Sequence, residues 1–367
     1  MPETKRGILV LENGSKFTGQ WLDAAPSCFG EVVFQTAMTG YEETLTDPSY
    51  GGQIVVMTYP SIGNTGINRL DHQSKRPALS GFVIDELCCS PSHYQSQSSL
   101  EDFLREYAIP TLYGVDTRKL VHIIRQHGTL RAWMGPESQI DECPEHADDF
   151  PSLAPDLVAR ASVKSPYQLG QTGPRIVLYD LGCKQGIIDH LLQAPCRLTV
   201  VPWNTPSSTV ENWQPDGIVF SNGPGDPRHL HTILPTVRRL SSNYPTLGIC
   251  LGHQLLAMAH GATIGRLPFG HHGANHPVRE LESGRIWITS QNHNFTVLKD
   301  RLPSNLVISH QHVNDGSIEG LKYLNLPIQS TQFHPEGCPG PNDSLDIIRR
   351  FVAALRTEGD EKLAHAT

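Results

Sequence analysis

Short apolar runs broken by glycine- and proline-bearing turns fill the first third of the chain, and each run is too brief for a helix. Gly7–Glu12, Glu31–Gln35, Gln53–Thr58 and Gly81–Asp85 read as strands. Between them, Thr39-Gly40, Tyr50-Gly51-Gly52 and Ile62-Gly63-Asn64 read as ordered turns. Two stretches switch to helical spacing. Ser98–Tyr107 carries Ser98 or Ser99 as its cap and Glu101 and Asp102 in the first turn. Asp116–His127 is capped by Asp116 and stopped by Gly128. Ile109–Gly114 lies between them as a further strand.

The pattern lapses near residue 135. Up to residue 173 the chain is rich in Pro, Asp, Ser and Gln without sustained periodicity, which predicts a partly helical connector. Strands and helices then alternate. Arg175–Tyr179, Arg197–Val201, Asp216–Phe220 and Pro245–Ile249 are the strands; Lys184–Leu192, Ser207–Trp213, Pro235–Ser241 and Leu251–His260 are helical. Such alternation builds a parallel sheet covered by helices. Closely spaced strands after Gly265 (Pro277–Leu281, Arg285–Thr289, Leu306–Ser309, Pro327–Phe333) predict an antiparallel extension, and a last helix runs over about Ser344–Leu355. The expected organisation is α/β: a smaller mixed N-terminal domain over 1–134, a connector over 135–173, and an open, mainly parallel sheet over 174–367.

Composition narrows the function classes. A length of 367 residues allows two domains, and 38% apolar residues can fill their cores. Charged residues reach only 18%, and the net charge of -8 lacks the basic footprint of a nucleic-acid binder. The apolar stretch Ile8 to Leu11 is too short for a secretory signal core, and no run approaches a membrane span, so a cytoplasmic location is expected. Eight cysteines stand at 28, 88, 89, 143, 183, 196, 250 and 338 without a CxxC pair. Seven read as small buried hydrophobes in a reducing compartment.

Cys250 is the exception. Thr246-Leu247-Gly248-Ile249-Cys250-Leu251-Gly252-His253-Gln254 runs an apolar strand through Gly-x-Cys-x-Gly into a helix. This is the cysteine form of a nucleophile elbow, in which glycines two residues on either side let strand and helix pass closely. It sets the sulfur at a helix N-terminus, which favours thiolate. Taken alone, the pattern also fits a buried cysteine at a strand end. Gln332-Phe333-His334-Pro335-Glu336-Gly337 supplies a candidate base: in extended chain His334 and Glu336 face one side, so the carboxylate can orient the imidazole. Ser221-Asn222-Gly223-Pro224-Gly225-Asp226-Pro227 follows a strand. It can offer one oxyanion donor, with the Leu251 amide as the other, or it can be a plain turn. Gly270-His271-His272-Gly273-Ala274-Asn275-His276 invites a metal reading, but adjacent histidines point apart and no carboxylate or cysteine stands at ligand spacing. A structural loop and no metal site are expected there.

Gly-Ile-Cys-Leu-Gly-His-Gln followed by His-Pro-Glu resembles the class I (triad) glutamine amidotransferases. The Asn-Gly-Pro-Gly-Asp-Pro loop, Phe-Gly-His-His-Gly-Ala-Asn-His-Pro over 269–277, Ser-Gln-Asn-His over 290–293 and three first-domain stretches narrow this. Those stretches are Met38 to Glu43, Leu45 to Tyr50 and Thr58 to Asn64. They resemble the glutamine-hydrolysing small subunits of carbamoyl-phosphate synthetases. The resemblance implies that Cys250 attacks the glutamine side-chain amide, that a γ-glutamyl thioester forms and ammonia leaves, and that His334 shuttles protons while Glu336 orients it. It implies oxyanion donors at Gly223 and Leu251, and substrate contacts from Gly225, Gln254, Asn292, Phe295 and, from the first domain, Ser49. One position departs: the usual Asn-His-Gly-Phe reads Asn292-His293-Asn294-Phe295, so Asn294 must supply a glycine's backbone contact, with asparagine's tolerance of positive φ in its favour.

The resemblance further implies a large synthetase subunit as partner. ATP and Mg would be held on that subunit and no cofactor on this chain, which shows no phosphate loop. The rival readings are a stand-alone cysteine amidohydrolase on the same scaffold and a non-catalytic regulatory paralogue.

Overall fold

The computed structural model describes residues 5–22 and 25–364, with the side chains of its last helix as far as Leu355. Two units emerge: Met1–Ala154 with Leu267–Gly273, and Pro155–Arg266 with Ala274–Thr367. The stretch expected as a connector is divided between them, 135–154 belonging to the first unit and 155–173 to the second.

The first unit is built on a closed barrel of seven strands: β1 (Lys5–Leu11), β2 (Lys16–Trp21), β3 (Cys28–Gln35), β4 (Gln53–Met57), β5 (Gly81–Val83), β6 (Thr111–Tyr113) and β7 (Leu130–Pro136). They are ordered β1-β2-β6-β5-β4-β3-β7. Alternate side chains serve two cores. Leu9, Phe17, Val32, Ile54, Val83, Leu112 and Ala132, one from each strand, join a single cluster that fills the barrel. Val33, Val55 and Phe82, of opposite parity, pack with Leu100, Phe103 and Leu104 of the helix Leu100–Glu106. Burial on both faces explains why these strands read as unbroken apolar runs. The caps fall where the sequence places them: Ser99 Oγ accepts from the Asp102 amide and Asp116 Oδ1 from the Lys119 amide.

A ten-stranded sheet underlies the second unit, with Leu267–Gly273 of one strand counted in the first. Its strands are β8 (Tyr167–Leu169), β9 (Arg175–Asp180), β10 (Arg197–Pro202), β11 (Gly217–Phe220), β12 (Thr246–Ile249), β13 (Ile264–Glu280), β14 (Ile286–Val297), β15 (Leu306–His312), β16 (Ile318–Tyr323) and β17 (Ile328–Thr331). Their order is β8-β10-β9-β11-β12-β17-β16-β15-β13-β14. The β10-β9-β11-β12-β17 stretch is parallel and the β17-β16-β15-β13 stretch antiparallel. Strand β9 shows the layering: Val177 and Tyr179 pack with Val237, Leu240 and Leu255, while Ile176 and Leu178 pack with Ile187, Leu191, Ile348 and Val352. Helices therefore cover both faces, and the carboxyl ends of β11 and β12 meet at one edge, where open sheets of this kind bind ligands.

Three expectations fail. Residues 270–276, read as a loop, lie within β13; their glycines and histidines carry little β propensity, and ladder pairing overrides it. Strands β2, β7, β8 and β16 have no counterpart in the sequence reading, β8 lying in the stretch expected as a partly helical connector. Cys89 is exposed, whereas Cys196 and Cys250 are buried and the other five are partly so; all eight are free thiols.

Candidate active site

The chemistry gathers in the second unit around Cys250. The residue follows β12 and caps the helix Leu251–Ala259 with φ 53° and ψ -103°. A non-glycine residue at positive φ is strained, and the neighbours show why it is held there. Its amide donates to the Thr331 carbonyl at 2.8 Å, and the Gly252 amide to Ser221 O at 3.0 Å. A Cβ on Gly252 would collide with the Phe220 carbonyl, and one on Gly248 would lie 2.9 Å from Gly252 O while striking Leu256. Both glycines are thus fixed by close approach of strand and helix. The Leu251 amide belongs to the first turn of the helix, whose N–H groups have no intrahelical acceptor.

The imidazole and carboxylate read from the sequence are together. His334 Nδ1 lies 2.6 Å from Glu336 Oε1. The pairing comes from a turn rather than an extended strand: His334 bridges to Ser290, and the Gly337 amide donates to His334 O at 3.2 Å. A third group was not legible in the sequence. Lys184, 1% exposed, extends its ammonium to 3.0 Å from Glu336 Oε1 and donates to Gly337 O at 2.5 Å. No local signal marks it, because its partners lie more than 150 residues away. Burial is the largest single influence on His334 and acts to lower its pKa, but the Glu336 carboxylate and Cys250 together outweigh burial and the Lys184 charge and bring it up to about 10. Burial acts to raise that of Glu336, but Lys184 and then His334 outweigh it and bring it down to about 2. The carboxylate therefore stays ionised, and His334 binds protons more strongly than free histidine does.

The residues implied as substrate contacts fall as follows. Gly223 and Gly225 occupy the loop after β11, Gly225 at φ 90°. Asn292, Asn294 and Phe295 lie on β14. The Cys250 thiol donates to the Asn292 carbonyl at 3.7 Å. Gln254 Nε2 donates to Phe295 O and to Gln332 Oε1, each at 3.0 Å. The Phe295 ring stands 5.4 Å from the Arg228 guanidinium and 5.6 Å from that of Arg266. The positive φ expected of Asn294 is absent: it sits in extended β14 and is not among the described residues with left-handed backbone. Ladder geometry, not a turn, sets its conformation, so asparagine stands there without strain. Ser49 belongs to the first unit, buried in the short turn Pro48–Tyr50, where its amide donates to Asp47 Oδ1 at 2.9 Å.

Among the described residues no helix is long and apolar enough to cross a membrane. Two family models match the chain: the CPSase domain of the carbamoyl-phosphate synthase small chain over residues 9–134, and glutamine amidotransferase class-I over residues 177–354. The carbamoyl phosphate synthase small chain of Bacillus caldolyticus is 44% identical over 355 residues, covering 95% of this chain and 96% of the relative. Halalkalibacterium halodurans provides two more relatives. Its arginine-specific small chain is 45% identical, with 97% of this chain and 99% of the relative covered. Its pyrimidine-specific small chain is 44% identical, with 95% and 97% covered.

Proposed function

The chain belongs to the carbamoyl phosphate synthase small-chain family, glutamine-hydrolysing amidotransferase subunits, and from that premise we propose how it hydrolyses glutamine and where the ammonia goes. The observation that carries the mechanism is the forced backbone of Cys250, φ 53° at a helix N-terminus. That geometry costs stability and is retained where a nucleophile must be presented.

The raised pKa of His334 keeps the thiol proton on the imidazole, so Cys250 Sγ attacks the amide carbon of the glutamine side chain as a thiolate paired with the imidazolium. The C=O oxygen becomes an oxyanion between the amides of Gly223 and Leu251. The imidazolium, held by Glu336, gives its proton to the departing nitrogen; the C–N bond breaks, ammonia leaves and a γ-glutamyl thioester remains. Neutral His334 then removes a proton from water as the water oxygen attacks the thioester carbon. The C–S bond breaks, glutamate is released and Cys250 is left as a thiolate beside the protonated His334. Gly225, Gln254, Asn292 and Phe295 hold the substrate, Gln254 being fixed by its bond to the Phe295 carbonyl.

The ammonia passes to a large synthetase subunit that carries ATP and Mg and forms carbamoyl phosphate from bicarbonate; this chain needs no cofactor of its own. The test uses the assembled enzyme. Cys250→Ser abolishes glutamine-dependent synthesis and leaves ammonia-dependent synthesis, because only the ammonia source is lost. Glutamine-driven turnover within about tenfold of wild type would overturn the assignment.

A further inference from the structure

Gln332 follows β17 and is fully buried beside the nucleophile. The reaction above gives it no task. A buried primary amide has two donors and one acceptor oxygen to satisfy. Its Oε1 accepts from Gln254 Nε2 at 3.0 Å, and its Nε2 donates to Cys250 Sγ at 3.7 Å. Its own main-chain amide donates to Glu319 O at 2.8 Å, which anchors the residue to the sheet.

Which end of each amide faces which neighbour is decided by the network. The Phe295 carbonyl can only accept, so the atom of Gln254 that faces it must be nitrogen. That nitrogen faces Gln332 as well, so the Gln332 atom meeting it must be oxygen. The remaining end of Gln332, turned to the sulfur, is then the NH₂ group. A chain of bonds thus begins at a fixed backbone carbonyl and ends as a donor on the nucleophile.

The sulfur's other contact is the Asn292 carbonyl, which can only accept and so serves the protonated thiol. The sulfur therefore has one contact that takes its proton and one that donates to its lone pair. A neutral thiol is a weak acceptor, whereas hydrogen bonds to an ionised acceptor are about twice as strong as neutral ones. The donor from Gln332 gains most when sulfur is charged, before attack and again when the thioester breaks.

The geometry points to Gln332 as a catalytic donor that stabilises the Cys250 thiolate, while the same amide fixes Gln254 against the substrate. This rests on the thiolate chemistry proposed above.

Two variants of the full chain test it. Gln332→Met removes donor and acceptor at nearly constant length. Gln332→Glu keeps an acceptor for Gln254 but makes the sulfur share its site with an acid. Alkylation of Cys250 by iodoacetamide is followed across pH by mass spectrometry resolved to that residue, with glutamine kcat and KM measured beside it. The pH of half-maximal alkylation is expected to rise by at least about one unit in both variants. The kcat should fall at least about tenfold, and KM in Gln332→Glu should stay within about threefold, because Gln254 keeps its partner. Should Gln332→Met fail to fold, the isosteric Gln332→Glu carries the test. An alkylation profile unmoved in the folded variants overturns the proposal, even where kcat falls, since Gln332 would then act on Gln254 alone. Alkylation uses no glutamine, so a shifted profile in a chain without glutaminase activity would refute the amidotransferase reading and leave this donor standing.

Discussion

Replacing Glu336 by glutamine keeps the side chain's shape and removes the one anion placed between Lys184 and His334. The Lys184 ammonium lies 3.0 Å from Glu336 Oε1 and His334 Nδ1 lies 2.6 Å from the same oxygen, all three side chains being 1% exposed or less. Two unit charges 3 Å apart attract by about 5 kcal/mol at an effective dielectric of 20, and desolvation offsets part of that. Removing one member of a buried pair costs about 3–5 kcal/mol, chiefly because the other charge loses its counterion. In a unit of this size each kcal/mol moves Tm by about 2–4 °C, so Glu336→Gln should lower it by about 6–20 °C. The loss has a pH signature. The raised pKa of His334 contributes stability that is fully present below about pH 6.5 and is lost as pH rises through about 10. The lowered pKa of Glu336 contributes stability present above about pH 4.5 and lost as pH falls toward about 2. The difference between wild type and Glu336→Gln should therefore be largest between about pH 4.5 and 6.5 and smaller by about 1 kcal/mol or more at pH 9. Differential scanning calorimetry of the full chain across that range measures it. A Tm loss under about 3 °C at pH 6, or one that grows toward pH 9, would refute the electrostatic reasoning.

Two further outcomes are expected. Asn294 sits in extended backbone, so Asn294→Gly relieves no strain and should lower Tm, as glycine does inside a strand; a rise in Tm would contradict the strand assignment. The isolated chain should hydrolyse glutamine slowly, and adding the large subunit with ATP and bicarbonate should raise the rate at least about tenfold, a coupling of about 1.4 kcal/mol; full activity without the partner would favour a stand-alone hydrolase.

The parts legible in the sequence were those encoded by neighbours along the chain. Gly248, Cys250 and Gly252 declare the elbow because strand, turn and helix follow one another, and His334 and Glu336 are two residues apart. The parallel core was equally plain, since strands such as Arg175–Asp180 are buried on both faces. What escaped is non-local. Lys184 and Gln332 look unremarkable where they stand; each gains its place only when the sheet sets β9, β11, β12 and β17 in that order. The barrel was read as separate strands because Lys16–Trp21 buries only Phe17 and Trp21, too faint an alternation to mark a strand. The loop expected at 270–276 failed for the converse reason: a ladder imposed on residues of poor β propensity leaves no trace in their identities.

The account stands on covalent catalysis by Cys250, and trapping the intermediate tests it most directly. The full chain is mixed with glutamine, quenched in acid within a turnover and weighed intact by mass spectrometry, with peptide mapping of the product. A gain of one γ-glutamyl group located on Cys250, absent from Cys250→Ser, is the predicted result. Glutamate released at the wild-type rate with no adduct on Cys250 at any quench time, or an adduct on another residue, would contradict it.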